Sequence, residues 1–126
     1  MDLLRLLPGE RGQAAESRAC RYLVERGLKL EARNYRCRHG EIDIVMRDGR
    51  TVVFVEVRYR SNRRFAGGAE TIDRRKRSKL LVTAQHYLQS HPEAAAGPAR
   101  FDVIAIASDN GEDHIQWISD AFGADS

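Results

Sequence analysis

Acidic side chains are concentrated in one short stretch of the sequence, from Gly40 to Arg60. It contains Glu41, Asp43 and Glu56 within two runs of alternating residues, which are separated by Asp48-Gly49, a dipeptide that favours a two-residue hairpin turn. Since successive side chains of a strand point to opposite faces, all three acids share one face of the predicted hairpin. Such carboxylates repel one another unless a cation, a proton or a basic side chain lies among them. Carboxylate oxygens suit Mg²⁺ or Mn²⁺, so the pattern predicts a metal site.

The register of this hairpin is predicted from a turn that pairs Arg47 with Arg50. The facing pairs are then Val45–Val52, Asp43–Phe54 and Glu41–Glu56. Asp43 and Glu56 become diagonal neighbours, with Cβ atoms roughly 7 Å apart or less. The opposite face is uniformly apolar, with Ile42, Ile44, Met46, Val53, Val55 and Val57.

A helix before the hairpin adds a fourth acid to the argument. Apolar periodicity predicts this helix from about Gly12 to Arg26, with Gly27 ending it. Glu16 lies on or beside its apolar stripe. Two interpretations remain open: Glu16 reaches solvent or an arginine at the edge of the stripe, or it adds a carboxylate to the hairpin site.

A second helix is predicted from Arg74 to about Gln89, with Asp73 as its N-cap. Lys76 falls on the inner stripe of this helix, in the first turn. A lysine is unusual as core filling, although its stem can cross an apolar surface and bring the ammonium group to water.

The remaining pattern completes an α/β domain. Strands are predicted at Leu28–Arg36, Arg100–Ser108 and His114–Ala121, loops at 36–40 and 61–71, and a linker at 91–98. The order is therefore α-β-β-β-α-β-β, a mixed sheet with a helix on each side.

Length and composition predict one soluble domain. The chain has 126 residues, of which 42% are hydrophobic and 31% charged, so we treat residues 1–126 as a single domain with its core at about 12–122. No apolar run is long enough to span a bilayer and no secretory signal is recognisable, which predicts a cytoplasmic protein without a membrane partner. Cys20 and Cys37 lack zinc-ligand spacing and are predicted to be reduced thiols.

The positive charge is unevenly distributed, although the net charge is only +3. Between Arg58 and Lys79, nine basic residues stand against Glu70 and Asp73. These nine are Arg58, Arg60, Arg63, Arg64, Arg74, Arg75, Lys76, Arg77 and Lys79. A segment of one sign beside an acidic site predicts a polyanionic partner such as nucleic acid.

Three features of this pattern fit metal-assisted cleavage of phosphodiesters. They are the acids on one hairpin face, the cation two residues after the last acid and the basic surroundings. The alternative is a hairpin whose charged end forms only salt bridges, for example Glu56 with Arg58 or Lys76. No glycine-rich phosphate loop follows a predicted strand, so nucleotide hydrolysis has little support.

Four separated motifs resemble the YraN family of small, largely uncharacterised bacterial proteins. They are Gly40-Glu41-Ile42-Asp43, the run from Val53 to Arg60, Arg100-Phe101-Asp102-Val103 and the run from Gln116 to Phe122. The resemblance extends from about Gly12 to Phe122. It implies a restriction-endonuclease-like fold close to Holliday-junction resolvases, whose core signature is an aspartate followed by Asp/Glu-x-Lys on the next strand.

This resemblance implies roles for individual residues. Asp43 and Glu56 match the two acids of the signature, and Glu16 resembles the acid that resolvase-like members add from the first helix. Arg58 stands where the signature has lysine, and an arginine cannot serve as a general base because it keeps its proton. Lys76 is the candidate substitute, because related folds supply the lysine from the following helix.

The sequence thus predicts a DNA-binding, Mg²⁺- or Mn²⁺-dependent endonuclease that acts on branched or otherwise structured DNA. Asp43, Glu56, Glu16 and Glu41 are the expected metal residues, with Arg58 and Lys76 facing the phosphate. Tyr59, Arg60, Arg63, Arg64, Arg75 and Lys79 are the expected nucleic-acid contacts. Small resolvase-like nucleases commonly act as dimers, so a homodimer is also expected. The alternatives are a catalytically silent module that binds nucleic acid and a domain that binds an acidic protein partner.

Overall fold

The computed structural model describes residues 8–60, 72–109 and 111–123. Its helices are α1 (Pro8–Glu25), α2 (Arg74–Ser90) and the one-turn α3 (Pro92–Ala95). Its strands are β1 (Lys29–Cys37), β2 (Gly40–Asp48), β3 (Thr51–Arg60), β4 (Ala99–Asp109) and β5 (Glu112–Phe122). Within this part of the chain, no helix is both long enough and apolar enough to cross a membrane.

The strands form one mixed sheet in the order β1-β2-β3-β4-β5. Neighbouring strands are antiparallel except β3 and β4, which are parallel because the chain crosses over through α2. The predicted α/β class and the order α-β-β-β-α-β-β are confirmed. Helix α1 begins at Pro8 instead of near Gly12. The predicted linker at 91–98 is wrong in part, since it contains α3, where Pro92 begins the helix and its missing N–H costs no hydrogen bond.

Each face of the sheet carries its own apolar core. The face under α1 contains Ala15, Ala19 and Leu23 of the helix and Ile44, Met46, Val53, Val55, Ile104 and Ile106 of the strands. The face under α2 contains Leu80, Ala84 and Tyr87 of the helix and Ile42, Val45, Val52, Phe54, Phe101, Val103 and Ala105 of the strands. Cys20 and Cys37 are both free thiols, as predicted.

The predicted register of the central hairpin is wrong by two residues. The observed pairs are Asp48–Thr51, Arg47–Val52, Val45–Phe54 and Ile44–Val55, so the pairs Val45–Val52, Asp43–Phe54 and Glu41–Glu56 do not form. The two central residues of the turn are Gly49 and Arg50. Gly49 has φ +61° at the first central position, where a type II′ turn favours glycine. Asp48 remains in the strand and accepts a hydrogen bond from Arg100 at 3.1 Å.

In β1 and β2, the regular alternation of side chains between the two faces of the sheet is interrupted. Ile42 packs in the core under α2, whereas Ile44, two residues away, packs under α1, so the predicted common face of Ile42 and Ile44 is wrong. The same change occurs in β1, where Ala32 and Tyr35, three residues apart, both pack under α2. Between them lies Asn34, whose φ of +54° is incompatible with an extended strand. Asp43 occupies the corresponding position of β2, between Ile42 and Ile44.

Helix α2 lies close to the start of β2. Asp73 caps the helix as predicted, with a carboxylate oxygen 2.8 Å from the Lys76 backbone nitrogen. Gly40 has φ +153°, and a Cβ atom there would stand 3.1 Å from Thr83 Oγ1. Thr83 is buried and held by its hydrogen bond to the Lys79 carbonyl at 2.8 Å. Only glycine lets the strand and the helix approach this closely.

Candidate functional site

A cleft of about 350 Å³ opens where β2 and β3 separate, beside the first turns of α2. The regular pairing of these strands ends at Ile44–Val55, and the Val57 backbone N–H is then bound by a side-chain oxygen of Asp43 at 2.9 Å. The cleft is lined by Gly40, Glu41, Asp43, Glu56, Val57, Lys76, Lys79 and Leu80. The predicted acids of the hairpin and both predicted lysines of α2 therefore share one site.

Three carboxylates converge at the edge of this cleft. Glu16, Glu41 and Asp43 each place a carboxylate oxygen within 4.8 Å of the other two. Glu16 is thus directed from α1 toward the hairpin acids. Its Oε1 is buried and makes no hydrogen bond to any described residue, and a guanidinium nitrogen of Arg33 lies 3.7 Å from it.

The pKa of the Asp43 carboxyl is strongly raised in the folded protein. Burial, and after it the negative charge of Glu56, raise the pKa of Asp43 from 3.8 to about 8, although the Val57 N–H lowers it. Burial also raises the pKa of Glu16 by more than Asn34 and Arg33 lower it. At neutral pH the Asp43 carboxyl therefore holds a proton unless a cation compensates its charge.

Glu56 is buried beside Asp43 and forms an ion pair with Lys76 Nζ. It is not one of the three acids whose oxygens lie within 4.8 Å of one another. The Lys76 side chain remains 52% exposed while its ammonium group contacts the 7% exposed side chain of Glu56. The lysine predicted to point inward therefore reaches the cleft from solvent.

The donor set suits a hard divalent cation. Glu16, Glu41 and Asp43 supply carboxylate oxygens and no thiolate or imidazole, which favours Mg²⁺ or Mn²⁺ over zinc. The Oε1 of Glu16 is buried without a hydrogen bond, and the Asp43 carboxyl holds a proton. A divalent cation would compensate the negative charge of both carboxylates.

Of the predicted nucleic-acid contacts that the structure describes, only Lys79 lines this cleft. Arg75 is exposed on the same helix. Arg58 is half-buried two residues beyond Glu56. Tyr59 packs against the core under α1 and donates a hydrogen bond to Ser108, whereas Arg60 is exposed at the end of β3. Arg63 and Arg64 lie outside the described residues.

Sequence analysis missed two cations that pair with these acids, Arg33 beside Glu16 and Arg36 beside Glu41. Arg36 of β1 pairs directly with Glu41, both as strand neighbours and through an ion pair from its Nε. The sequence does place Arg36 near the end of β1, the strand that precedes the acidic strand β2. Its pairing with Glu41 could be predicted only once the β1–β2 register was known.

A second group of polar residues, centred on Asp102, has a structural role. Asp102 is completely buried and accepts hydrogen bonds from Arg100 Nε at 3.0 Å, Trp117 Nε1 at 2.9 Å and the Asp120 backbone N–H at 2.9 Å. Two of the motifs that carried the family resemblance, Arg100–Val103 and Gln116–Phe122, thus meet in one hydrogen-bond network that joins β4 to β5.

The fold and the cleft define a small α/β protein in which a mixed sheet presents convergent carboxylates beside a lysine-bearing helix. The chain belongs to the uncharacterised protein family UPF0102, whose profile matches residues 15–106, and this confirms the predicted family. It is 54% identical over 113 residues to a UPF0102 protein of Methylobacillus flagellatus, covering 90% of this chain and 96% of that one. It is 48% identical over 117 residues to a UPF0102 protein of Nitrosococcus oceani, covering 93% and 94%.

Proposed function

We propose that the protein is a Mg²⁺- or Mn²⁺-dependent endonuclease that hydrolyses phosphodiester bonds of structured DNA. The observation that carries the proposal is the convergence of the Glu16, Glu41 and Asp43 carboxylates within 4.8 Å, beside the Glu56–Lys76 ion pair in an open cleft. Carboxylates and a lysine in this proximity match the groups that phosphodiester cleavage needs for charge compensation and proton transfer.

The roles of the residues follow from their positions. Glu16, Glu41 and Asp43 would hold the ion, which when bound polarises a phosphoryl oxygen and lowers the pKa of water. Glu56 would complete the acidic set beside Asp43. Lys76, mounted on the solvent side of Glu56, is placed to approach a phosphate that lies across the cleft.

Arg58 and Lys79 contribute charge and no general base. Arg58 keeps its proton and can bind a phosphate through two parallel hydrogen bonds. Lys79 lines the wall of the cleft one helical turn after Lys76 and extends the positive surface along α2. A phosphate backbone would be held from this wall by charge and shape, which fits recognition of DNA structure more than of base sequence.

The test is a cleavage assay with Mg²⁺ or Mn²⁺ on four-way junction, flap, linear duplex and closed circular single-stranded DNA. We expect cleavage that requires the metal and is faster on the junction and the flap than on the linear duplex, and any cleavage of the circular substrate, which has no end, would be endonucleolytic. Asp43→Asn should abolish it, and Lys76→Met should reduce it at least 100-fold while leaving Mn²⁺ binding within about twofold. Glu112→Gln, an exposed acid at the start of β5, serves as the matched control and should cleave like the parent. Cleavage that survives Asp43→Asn would remove the site from the mechanism.

A second candidate is a module that binds DNA without cutting it. It is favoured by Arg58, because the position two residues after Glu56 carries a cation that cannot accept a proton. Binding that weakens steeply with salt but produces no cleavage with either metal would support this candidate. Binding that does not respond to salt would favour a protein partner instead.

A further inference from the structure

Two exposed cations neutralise the acids of the cleft from opposite sides. Arg36 of β1 pairs with Glu41 of β2, and Lys76 of α2 pairs with Glu56 of β3. Strand β2, which carries Asp43, lies between the other two strands. At a strand spacing of about 4.8 Å, β1 and β3 are roughly 10 Å apart, so Arg36 and Glu56, the partner of Lys76, belong to strands on opposite sides of the one that carries Asp43.

These ion pairs differ from the structural ion pairs of the same sheet. The Arg47 side chain, paired with Glu31, and the Arg100 side chain, paired with Asp48, are each only 20% exposed. The Arg36 side chain is 75% exposed. An ion pair that is so accessible to water contributes little to stability, because water screens it and because holding two long side chains together costs entropy. Breaking it to admit another cation therefore costs little.

Resting on the proposed function, we infer that Arg36 is a phosphate-binding residue of the cleft that neutralises Glu41 only while no metal ion is bound. With Glu41 held by a bound divalent cation, Arg36 would be free to bind a phosphate of the DNA on the β1 side, and Lys76 would contact the backbone on the α2 side. The planar guanidinium group suits this exchange, since it forms paired hydrogen bonds with a carboxylate and with a phosphate alike.

The inference predicts opposite effects on the two ligands of the site. Arg36→Gln removes a competitor for Glu41, so the affinity for Mn²⁺ should stay the same or rise severalfold. The same change removes one phosphate contact, so DNA binding should weaken about tenfold at low salt. The slope of log K against log salt should become shallower by about 0.9. Arg36→Lys should restore the slope and only part of the affinity.

The experiment measures Mn²⁺ binding by calorimetry and binding of a fluorescent four-way junction in Ca²⁺ across a salt series. The matched control is Arg50→Gln, which removes the same charge from the exposed turn at the other end of β2, about 30 Å away along a nine-residue strand. Thermal unfolding checks that each variant is folded.

The outcomes separate the inference from the proposed function. If the parent protein binds no DNA, the proposed function falls and the inference falls with it. If the parent binds DNA but Arg36→Gln and Arg50→Gln have the same salt slope, only the inference is overturned. A loss of Mn²⁺ affinity in Arg36→Gln also overturns it, because Arg36 would then support the metal site instead of competing for it.

Discussion

Replacing Asp43 with asparagine should stabilise the metal-free protein at pH 8. The folded state holds the proton of Asp43 up to about pH 8, whereas the unfolded chain releases it near 3.8. Between these values the folded state binds more protons, so its stability falls as pH rises. The contribution is fully present below about pH 3.8 and is lost by about pH 8. Asparagine keeps the shape and the acceptor for the Val57 N–H without the charge.

The magnitude follows from the difference between the two pKa values. Moving the pKa from 3.8 to about 8 corresponds to an upper limit of about 6 kcal/mol at 1.36 kcal/mol per pH unit. The cleft is open to water and the repulsion is shared with Glu56, so we expect roughly 2–3 kcal/mol. For a domain of this size, that corresponds to a rise in Tm of roughly 6–15 °C.

Thermal unfolding of both proteins in a chelator, at pH 5 and at pH 8, measures this effect. The gain should be smaller at pH 5 than at pH 8, because the unfolded chain has released this proton at both values and the cost of retaining it in the folded state grows with pH up to about 8. Added Mg²⁺ should raise the Tm of the parent and leave the variant unchanged, because only the parent retains the metal ligand. Glu112→Gln provides the control for loss of an exposed charge. A variant less stable than the parent at pH 8, or one equally stabilised by Mg²⁺, would refute the argument.

Three further substitutions test the framework of the fold. Gly40→Ala should lower the free energy of unfolding by about 1–3 kcal/mol, since its φ is +153° and its Cβ would press on Thr83, whereas Gly12→Ala in α1 should raise it by up to about 1 kcal/mol. Urea midpoints report both, and equal midpoints would contradict the close contact. Asp102→Ala should cost about 3–5 kcal/mol, because it leaves Arg100, an indole N–H and a backbone N–H without their buried acceptor. A change below about 0.5 kcal/mol would show that this network is not required.

Much of the fold follows from periodicity in the sequence. The alternation of Phe101, Val103 and Ala105 against Ile104 and Ile106 correctly predicted the two faces of β4, because both helices bury regular stripes on a regular strand. The N-cap at Asp73 was also predictable, since capping depends on one side chain and the adjacent backbone.

The hairpin register was not predictable from the turn dipeptide alone. Asp-Gly permits a turn at either pair of residues, and the choice here involves the long-range contact of Asp48 with Arg100, 52 residues away. A register error of two residues leaves each side chain on the same face of the hairpin, so Asp43 and Glu56 were still predicted to share a face. The error changed which residues lie opposite one another, so Glu41 was predicted opposite Glu56 and not beside Arg36.

The sequence predicted that acids would meet at the open end of the hairpin, but not which of them would lie closest together. Parity placed Asp43 and Glu56 at the same end of the hairpin, and helical spacing left open whether Glu16 would join them. The interruption at Asn34 could not be foreseen, because it depends on a backbone conformation shared between two paired strands. As a result, the separation of Glu56 from the close trio of acids emerges only in three dimensions.

That interruption has a consequence for how the protein can diverge. Asn34, an uncharged residue on the edge strand β1, lies opposite Asp43 where the alternation of both strands is interrupted. A descendant could retain every acid and lysine of the cleft and still lose their convergence through one backbone adjustment in β1. Inventories of carboxylates alone would not detect such a change.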